Sequence, residues 1–170
     1  MILLLEEVHI SEIDNYKKLA GFLEVSTGYL SKIINDPDRY TTFEIAKKNG
    51  TQRKIYAPKK ELLIIQLKIK NLLEKNFNAH YRAHGFVKGK DFISNAENHV
   101  GKSFVLNLDL KNFFESISIK RVNNMFQRYF KIQSNVATIL AHICCHPEGF
   151  LPQGAPTSPI ISNIVCKSLD

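Results

Sequence analysis

The tetrapeptide Lys47-Lys48-Asn49-Gly50 splits the span Phe43 to Pro58 into two short runs of strand-forming residues. Asn-Gly accepts the positive φ angles of a tight turn, so the span predicts an antiparallel hairpin. Directly after it, Lys60 to Asn76 sets Leu62, Ile65, Ile69, Leu72 and Leu73 on one side of a 3.6-residue repeat, which predicts an amphipathic helix. Two short helices are expected within residues 12–35. Leu19, Phe22 and Leu23 form the apolar face of one; Tyr29, Leu30, Ile33 and Ile34 form that of the other. Ser26 or Thr27 caps the second, and Asn35-Asp36-Pro37-Asp38 stops it.

Further along, residues 83–99 read as loop-rich around Gly85 and Gly89, with Ser94 capping a short helix over Asn95 to Val100. Phe104 to Leu110 is the clearest strand: Phe104, Leu106, Leu108 and Leu110 face one way, and Val105, Asn107 and Asp109 the other. Helices are expected near 119–130 and 134–145. Gly149 to Pro159 is a loop of three prolines and two glycines, and Ser158-Pro159 opens a last helix as N-cap and first-turn pair. Strands and helices are mixed, so the class is α+β. No apolar run approaches the ~18 residues of a membrane span. Met1 to Leu5 is followed by Glu6 and Glu7 with no basic residue before it, so no secretory signal is expected. Cys144, Cys145 and Cys166 are odd in number and two are adjacent, which is no disulfide framework and points to a reducing cytoplasm.

Charge is concentrated. The 170 residues carry 23 Lys and Arg against 16 Asp and Glu, net +7. Residues 47–90 hold 12 of the basic residues and only Glu61 and Glu74 as acids, so this stretch is net +10 and the remainder net −3. A solvated helix face explains any one of these lysines; the continuous stretch fits a phosphate backbone.

Three places could carry chemistry. Asp109 shares a strand with buried-type residues but faces the other side, and strand interiors disfavour Asp. It is either a cation ligand or a strand-end carboxylate satisfied by amides or lysine. The loop Gly149 to Pro159 is stiffened by proline, opened to close approach by glycine, and followed by a helix N-terminus suited to phosphate; it also reads as an ordinary rigid connection. Arg53 and Lys54 beside the tight turn could hold a triphosphate, or simply flank an exposed turn.

These residues carry a resemblance. Asn107-Leu108-Asp109-Leu110-Lys111-Asn112-Phe113-Phe114 resembles the first carboxylate motif of retron and group II intron type reverse transcriptases. Leu151-Pro152-Gln153-Gly154-Ala155-Pro156-Thr157-Ser158-Pro159 resembles their next motif. Gly50, Arg53, Ile55 and Pro58 fit their fingers pattern, and His84-Gly85-Phe86 a following element. Asn95-Ala96-Glu97-Asn98-His99 is similar to the Asn-Ala-x-x-His signature of the retron branch. Order and spacing agree over roughly residues 40–170, and five short motifs in order are far more specific than any one.

The resemblance implies an RNA-directed DNA polymerase that joins nucleotides on two Mg²⁺ ions, and an α+β fold comprising the fingers and incomplete palm of a right-hand polymerase. Residues 1–39 would be a short helical N-terminal element, 40–102 a fingers-like basic segment and 103–170 a partial palm. Asp109 would ligate both ions and the Leu110 carbonyl the nucleotide-side ion. Phe114 would exclude a 2′-hydroxyl, while Phe113 packs in the core. Arg53 would contact the triphosphate, and Gln153 and Gly154 would line the nucleotide and template site. Lys47, Lys48, Lys54, Lys59 and Lys60, with Asn95 and His99 of the retron-branch element, would contact RNA. Implied partners are a structured non-coding RNA template and primer, nascent DNA, deoxynucleotides, and an effector protein or a complementing C-terminal chain, in defence against phage.

The family's second carboxylate pair, in a Tyr-x-Asp-Asp hairpin, does not occur in the sequence, and Asp170 matches a helix-end position. The expectation is therefore the N-terminal part of such an enzyme, unable to polymerise alone. Two rivals stand beside it. Residues 17–34 resemble a helix-turn-helix (Leu19-Ala20-x-x-Leu23-x-Val25-Ser26, then Tyr29-Leu30-Ser31-x-Ile33-Ile34), which would make a DNA-binding regulator, although that stretch holds only Lys17, Lys18 and Lys32 as bases. The other is a non-catalytic RNA-binding remnant. His142, Cys144, Cys145 and His146 invite a zinc reading, against a helix-end cluster whose cysteines act as small core residues.

Overall fold

The computed structural model describes residues 9–47 and 50–167. Lys48, an expected RNA contact, lies outside the described residues, as do Asn49 of the turn, Met1 to Leu5 and Asp170. A short 3₁₀ turn, Ile10–Glu12, leads into α1 (Tyr16–Leu23) and α2 (Thr27–Asn35). Asn15 caps α1 by accepting from the Lys18 amide at 2.9 Å, and Ser26 caps α2 by accepting from the Tyr29 amide at 3.1 Å. The predicted stop at Asn35 holds. The hairpin follows as β1 (Tyr40–Ala46) and β2 (Gln52–Pro58), antiparallel, with Tyr40 opposite Pro58 and Ala46 opposite Gln52. Next comes α3 (Lys60–Asn76), with the bounds its periodicity predicts, then α4 (Phe92–Glu97), α5 (Ile119–Arg128), α6 (Ser134–Cys144) and α7 (Ser158–Cys166). The described residues thus form a mixed fold of seven α-helices and one two-stranded sheet.

The core lies where α3 meets α1, α6 and α7, with α2 packed on α1 and α6. Leu62, Ile65, Ile69, Leu72 and Leu73 of α3 are all buried, against Leu19, Leu23, Leu30 and Ile33 on one side and Val136, Leu140 and Ile161 on the other. Phe126 and Val122 of α5 close it over α6. Tyr29 departs from its expected face and is 43% exposed.

One buried cation ties these layers. Arg39, 4% exposed at the start of β1, donates from its guanidinium to the Ile34 carbonyl at 2.5 Å, the His142 carbonyl at 3.0 Å and the Cys145 carbonyl at 3.1 Å. These carbonyls end α2 and α6, where helix dipoles favour positive charge. Gln66, fully buried on α3, adds a second tie: its amide donates to the Tyr40 hydroxyl at 2.9 Å and the Ile143 carbonyl at 2.8 Å.

Three expectations need correction. Phe104 to Leu110 forms no strand; Phe104 is 95%, Leu106 81% and Leu108 84% exposed. Alternation says which face would be apolar, but a strand exists only when paired, and none of the described residues supplies this segment with an edge. The short helix begins at Phe92, not Asn95. Asp91 caps it by accepting from the Ser94 amide at 2.8 Å, while the Ser94 hydroxyl accepts from the Asp91 amide at 3.0 Å. Ser94 is therefore the reciprocal member of a capping box inside the helix. Likewise Thr157, not Ser158, is the N-cap position of α7; the Ser158 hydroxyl donates to the Pro152 carbonyl at 2.6 Å and binds the loop to the helix.

Replacing Arg39 with Met keeps bulk but strands the carbonyls of two helix ends. Arg39→Met is expected to cost about 2–4 kcal/mol, read as a lowered urea midpoint at unchanged m. A loss below about 0.5 kcal/mol would show that those carbonyls find other donors.

Candidate active site

Three segments distant in sequence meet at the outer edge of the hairpin. The Tyr56 amide on β2 donates to the Gln153 carbonyl at 2.8 Å, docking the proline-rich loop on the strand. Glycine is required next door. Gly154 has φ +117°, and a Cβ there would lie 2.8 Å from Ile55 Cγ2 and 3.0 Å from the Tyr56 carbonyl oxygen. The same loop carries the Asp109 segment: the Leu151 amide donates to the Ile117 carbonyl at 2.9 Å and the Ile119 amide to the Gly149 carbonyl at 2.8 Å. Between that anchor and Asp109 the chain turns at Asn112, φ +50°, with the Ser116 amide donating to the Asn112 carbonyl at 2.9 Å.

The result is an open cleft of about 860 Å³. Lys47, Arg53 and Lys54 line it from the hairpin, Asp109, Leu110, Phe113, Phe114 and Glu115 from the second segment, and Gln153 from the loop. Asp109 is exposed and, among the described residues, makes no hydrogen bond or ion pair. The reading of a carboxylate satisfied by amides or lysine therefore finds no support. Arg53 is exposed and makes no ion pair there either, and the Lys54 ammonium lies 5.2 Å over the Tyr56 ring. Phe114 is half-buried, braced at 5.3 Å by Phe113 and at 6.0 Å by Phe86. Asn163 of α7 holds that outer brace by donating to the Gly85 carbonyl at 3.0 Å. Phe113 is also half-buried and packs on the core, as expected. Gly154 is exposed but does not line the cleft; its part is the close approach to β2.

Other expected residues lie elsewhere. Lys59 and Lys60 are exposed at the start of α3, and Asn95 and His99 are exposed on and just after α4; none lines the cleft. In the retron-branch element it is Asn98 that engages a neighbour, its amide nitrogen 3.3 Å from His84 Nε2, while His84 Nδ1 is 3.0 Å from the Ser94 hydroxyl.

Sequence reasoning missed Tyr56, Glu115 and the site role of His146. The Tyr56 hydroxyl donates to Glu115 Oε1 at 3.4 Å. Its ring lies 4.8 Å from His146 and 5.2 Å from Phe150, and His146 stacks on Phe150 at 4.8 Å. Tyr56 and Glu115 are 59 residues apart, and no local pattern announces such a pair. Burial raises the Tyr56 hydroxyl pKa, and the nearby Glu115 carboxylate adds to this. Burial holds the His146 imidazole below its ordinary value; Glu148 opposes this, while Arg39 and Lys54 reinforce it. Burial also pushes the Cys145 thiol up to about 12 and Cys144 further. Zinc takes thiolates, so these buried thiols fit the core role and not the metal one.

The Asp109 carboxylate and the Leu110 carbonyl are hard oxygen donors of the kind Mg²⁺ takes, and Glu115 is the other described carboxylate of the cleft. Among the described residues no group of three or more His, Cys, Asp or Glu is gathered around an ion site. The donors fit Mg²⁺ in kind and fall short of a full octahedral shell.

Two expected outcomes follow from this geometry. Gly154→Ala forces a side chain into β2 at a strained φ and should cost about 1–3 kcal/mol, with faster amide exchange at Tyr56; unchanged Tyr56 protection would mean the loop does not depend on that approach. His146 has a depressed folded pKa. Its contribution is complete above the unfolded value of about 6.5 and is lost as pH falls through the folded value. Asp14, Glu24 and Asp91 are also held low, by Lys18, Lys68 and the Ser94 amide respectively, but carboxylates act only at lower pH. Denaturation midpoints should therefore drop between about pH 7.5 and 5.5, and His146→Phe should flatten that slope; an unaltered slope would assign the loss to other groups.

Residues 45–170 match the family described as reverse transcriptase (RNA-dependent DNA polymerase). The chain is 31% identical over 172 residues to the retron Ec86 reverse transcriptase of Escherichia coli, a match covering 98% of this chain and 52% of that protein. It is 30% identical over 184 residues to the retron Mx162 reverse transcriptase of Myxococcus xanthus, covering 95% and 38%. With the retron Mx65 reverse transcriptase of Myxococcus xanthus it shares 34% over 173 residues, covering 89% and 40%. The chain thus spans about half, or less, of the length of these relatives. The family match starts in β1 and takes in every segment that meets at the cleft, and on that evidence the chain belongs to the reverse transcriptase family, with relatives of the retron type.

Proposed function

We propose that this chain supplies the nucleotide-binding part of a retron-type RNA-directed DNA polymerase, with residues 40–102 as fingers, 103–170 as the first part of the palm, and 1–39 as a helical N-terminal element. The observation that carries it is the convergence of Asp109, Phe114, Arg53 and Gln153 on one open cleft from three separate segments.

Each side chain has a part in that reading. Arg53 and Lys54 take the oxygens of a deoxynucleoside triphosphate, Arg53 with the paired donors of its guanidinium. Phe114, braced on both sides by phenylalanine rings, presents a wall that yields little to an extra 2′ oxygen. Gln153, its carbonyl fixed on β2, faces the base or its template partner. Asp109 and the Leu110 carbonyl would hold Mg²⁺, which when bound activates the primer hydroxyl and neutralises the leaving pyrophosphate. Positioning by these groups supplies much of the rate enhancement. Lys47 at the cleft, and the exposed Lys59 and Lys60 at the start of α3, would contact a structured RNA template and primer with its nascent DNA. A cognate non-coding RNA, an effector protein, a role in phage defence and a cytoplasmic setting belong to this reading through the family. One carboxylate, Asp109, with a main-chain carbonyl is a thin shell for two ions, and further carboxylates are needed for polymerisation, so the 170-residue chain alone is expected not to extend a primer.

The test is triphosphate binding. A fluorescent deoxynucleotide titrated with Mg²⁺ should bind the chain; Arg53→Ala should weaken it about 5- to 20-fold, and Asp109→Asn should remove its Mg²⁺ dependence. Binding indifferent to both changes would overturn the proposal. Primer extension on RNA by the purified chain would overturn its incompleteness.

A further inference from the structure

We propose that Tyr56 is the positioning residue of this cleft: by holding Glu115 it sets the turn that presents Phe114, and so it governs the preference for deoxy- over ribonucleotides. The inference rests on the nucleotide reading above and adds a residue that the motifs do not name.

Tyr56 touches all three segments that meet at the site. Its amide holds Gln153 of the loop at 2.8 Å. Its ring carries the Lys54 ammonium at 5.2 Å, so the cation meant for a triphosphate rests on this aromatic face. Its hydroxyl reaches Glu115 Oε1 at 3.4 Å, on the far segment. His146 and Phe150 fix the ring from behind, and the residue is only 5% exposed. A side chain locked on three sides is a reference point for the groups around it.

Glu115 directly follows Phe114, within the turn that starts at the positive-φ Asn112. Among the described residues, the tether from Glu115 to Tyr56 is the side-chain hydrogen bond that joins this turn to the hairpin. At 3.4 Å it is long for a hydroxyl–carboxylate bond and has room to shorten. Drawing the hairpin in by its Arg53 and Lys54 contacts would shorten it and press the Phe114 wall into place. Such coupling explains why a polar contact sits at the foot of an aromatic wall where a purely apolar pair would pack as well.

Tyr56→Phe isolates the claim, because it keeps the ring, the Lys54 contact and the main-chain bond, and removes only the hydroxyl. Affinities of the full chain for a deoxy- and a ribonucleoside triphosphate, with Mg²⁺, should show the deoxy preference falling about 3- to 10-fold, mostly through tighter ribonucleotide binding. Glu115→Ala should do the same, Glu115→Gln should retain most of the preference, and the double variant should lose no more than either single one. Amide exchange over residues 112–116 gives a readout without nucleotide: it should quicken in Tyr56→Phe. If exchange there is unchanged, or the two single effects add in full, the tether is refuted. If the parent chain binds no triphosphate, the nucleotide reading fails, while the exchange result still decides whether Tyr56 holds the turn.

Discussion

A two-stranded ribbon is marginal on its own in water, and everything that makes this cleft depends on β2 finding a third partner. It finds it in the backbone of the proline-rich loop, through the bond from the Tyr56 amide to the Gln153 carbonyl. That bond needs a strand edge left open by the hairpin register, a loop stiff enough to present one carbonyl, and no side chain at 154. Pro152 and Pro156 supply stiffness, and Ser158 ties the loop to α7 by donating to the Pro152 carbonyl at 2.6 Å. Because the Ile117–Ile119 stretch pairs with Gly149–Leu151 on the same loop, the position of Asp109 relative to Arg53 follows from one docking event.

Behind the cleft, the polar groups are as demanding as the apolar ones. A buried guanidinium without a carboxylate is costly unless its donors are met. Arg39 meets most of that demand with carbonyls at the ends of two helices, its Nε alone finding no partner among the described residues, and burial lowers its pKa without removing the charge. The cost is specific to this arrangement, which favours one relative placement of α2, α6 and β1. The Cys145 carbonyl that Arg39 holds is one residue before His146, whose ring backs Tyr56. The placement of the hairpin is thus carried from the core to the cleft through a short run of residues.

The sequence made local structure legible wherever local chemistry decides it. The pairing of the two strands of the hairpin, the α3 bounds, the α2 cap at Ser26 and the rigid loop all rest on a few consecutive residues, and the structure agrees. Phe104 to Leu110 was misread because alternation is a conditional signal, valid only when another strand lies alongside. The α4 start was misread because Ser94 serves as well at the third helical position as at the cap, and only the reciprocal bonds with Asp91 tell them apart. The cleft motifs were legible as Asp109, Arg53, Phe114 and Gln153. Tyr56 and Glu115 were not, since their meaning is a contact across 59 residues.

Charge shows why a sum over sequence says less than a map. Of the basic stretch 47–90, Lys68 is paired with Glu24, Lys70 lies 3.6 Å from Glu74, and Lys90 is spent on the Tyr81 and Ala83 carbonyls. Arg82 folds back on the Tyr81 ring at 5.3 Å. These cations hold the protein together, and a polyanion meets them only partly neutralised. The charges left without a carboxylate partner at the cleft, among the described residues, are Lys47, Arg53 and Lys54 on the hairpin and Lys111 on the segment of Asp109. A phosphate chain arriving there meets three cations on the hairpin wall, and Lys111 beside the carboxylates of Asp109 and Glu115 on the other. A cation bridging carboxylate and phosphate would offset the repulsion between that chain and Asp109. Under the function proposed above, cations gathered beside carboxylates in this way suit a metal-accompanied nucleotide at the cleft.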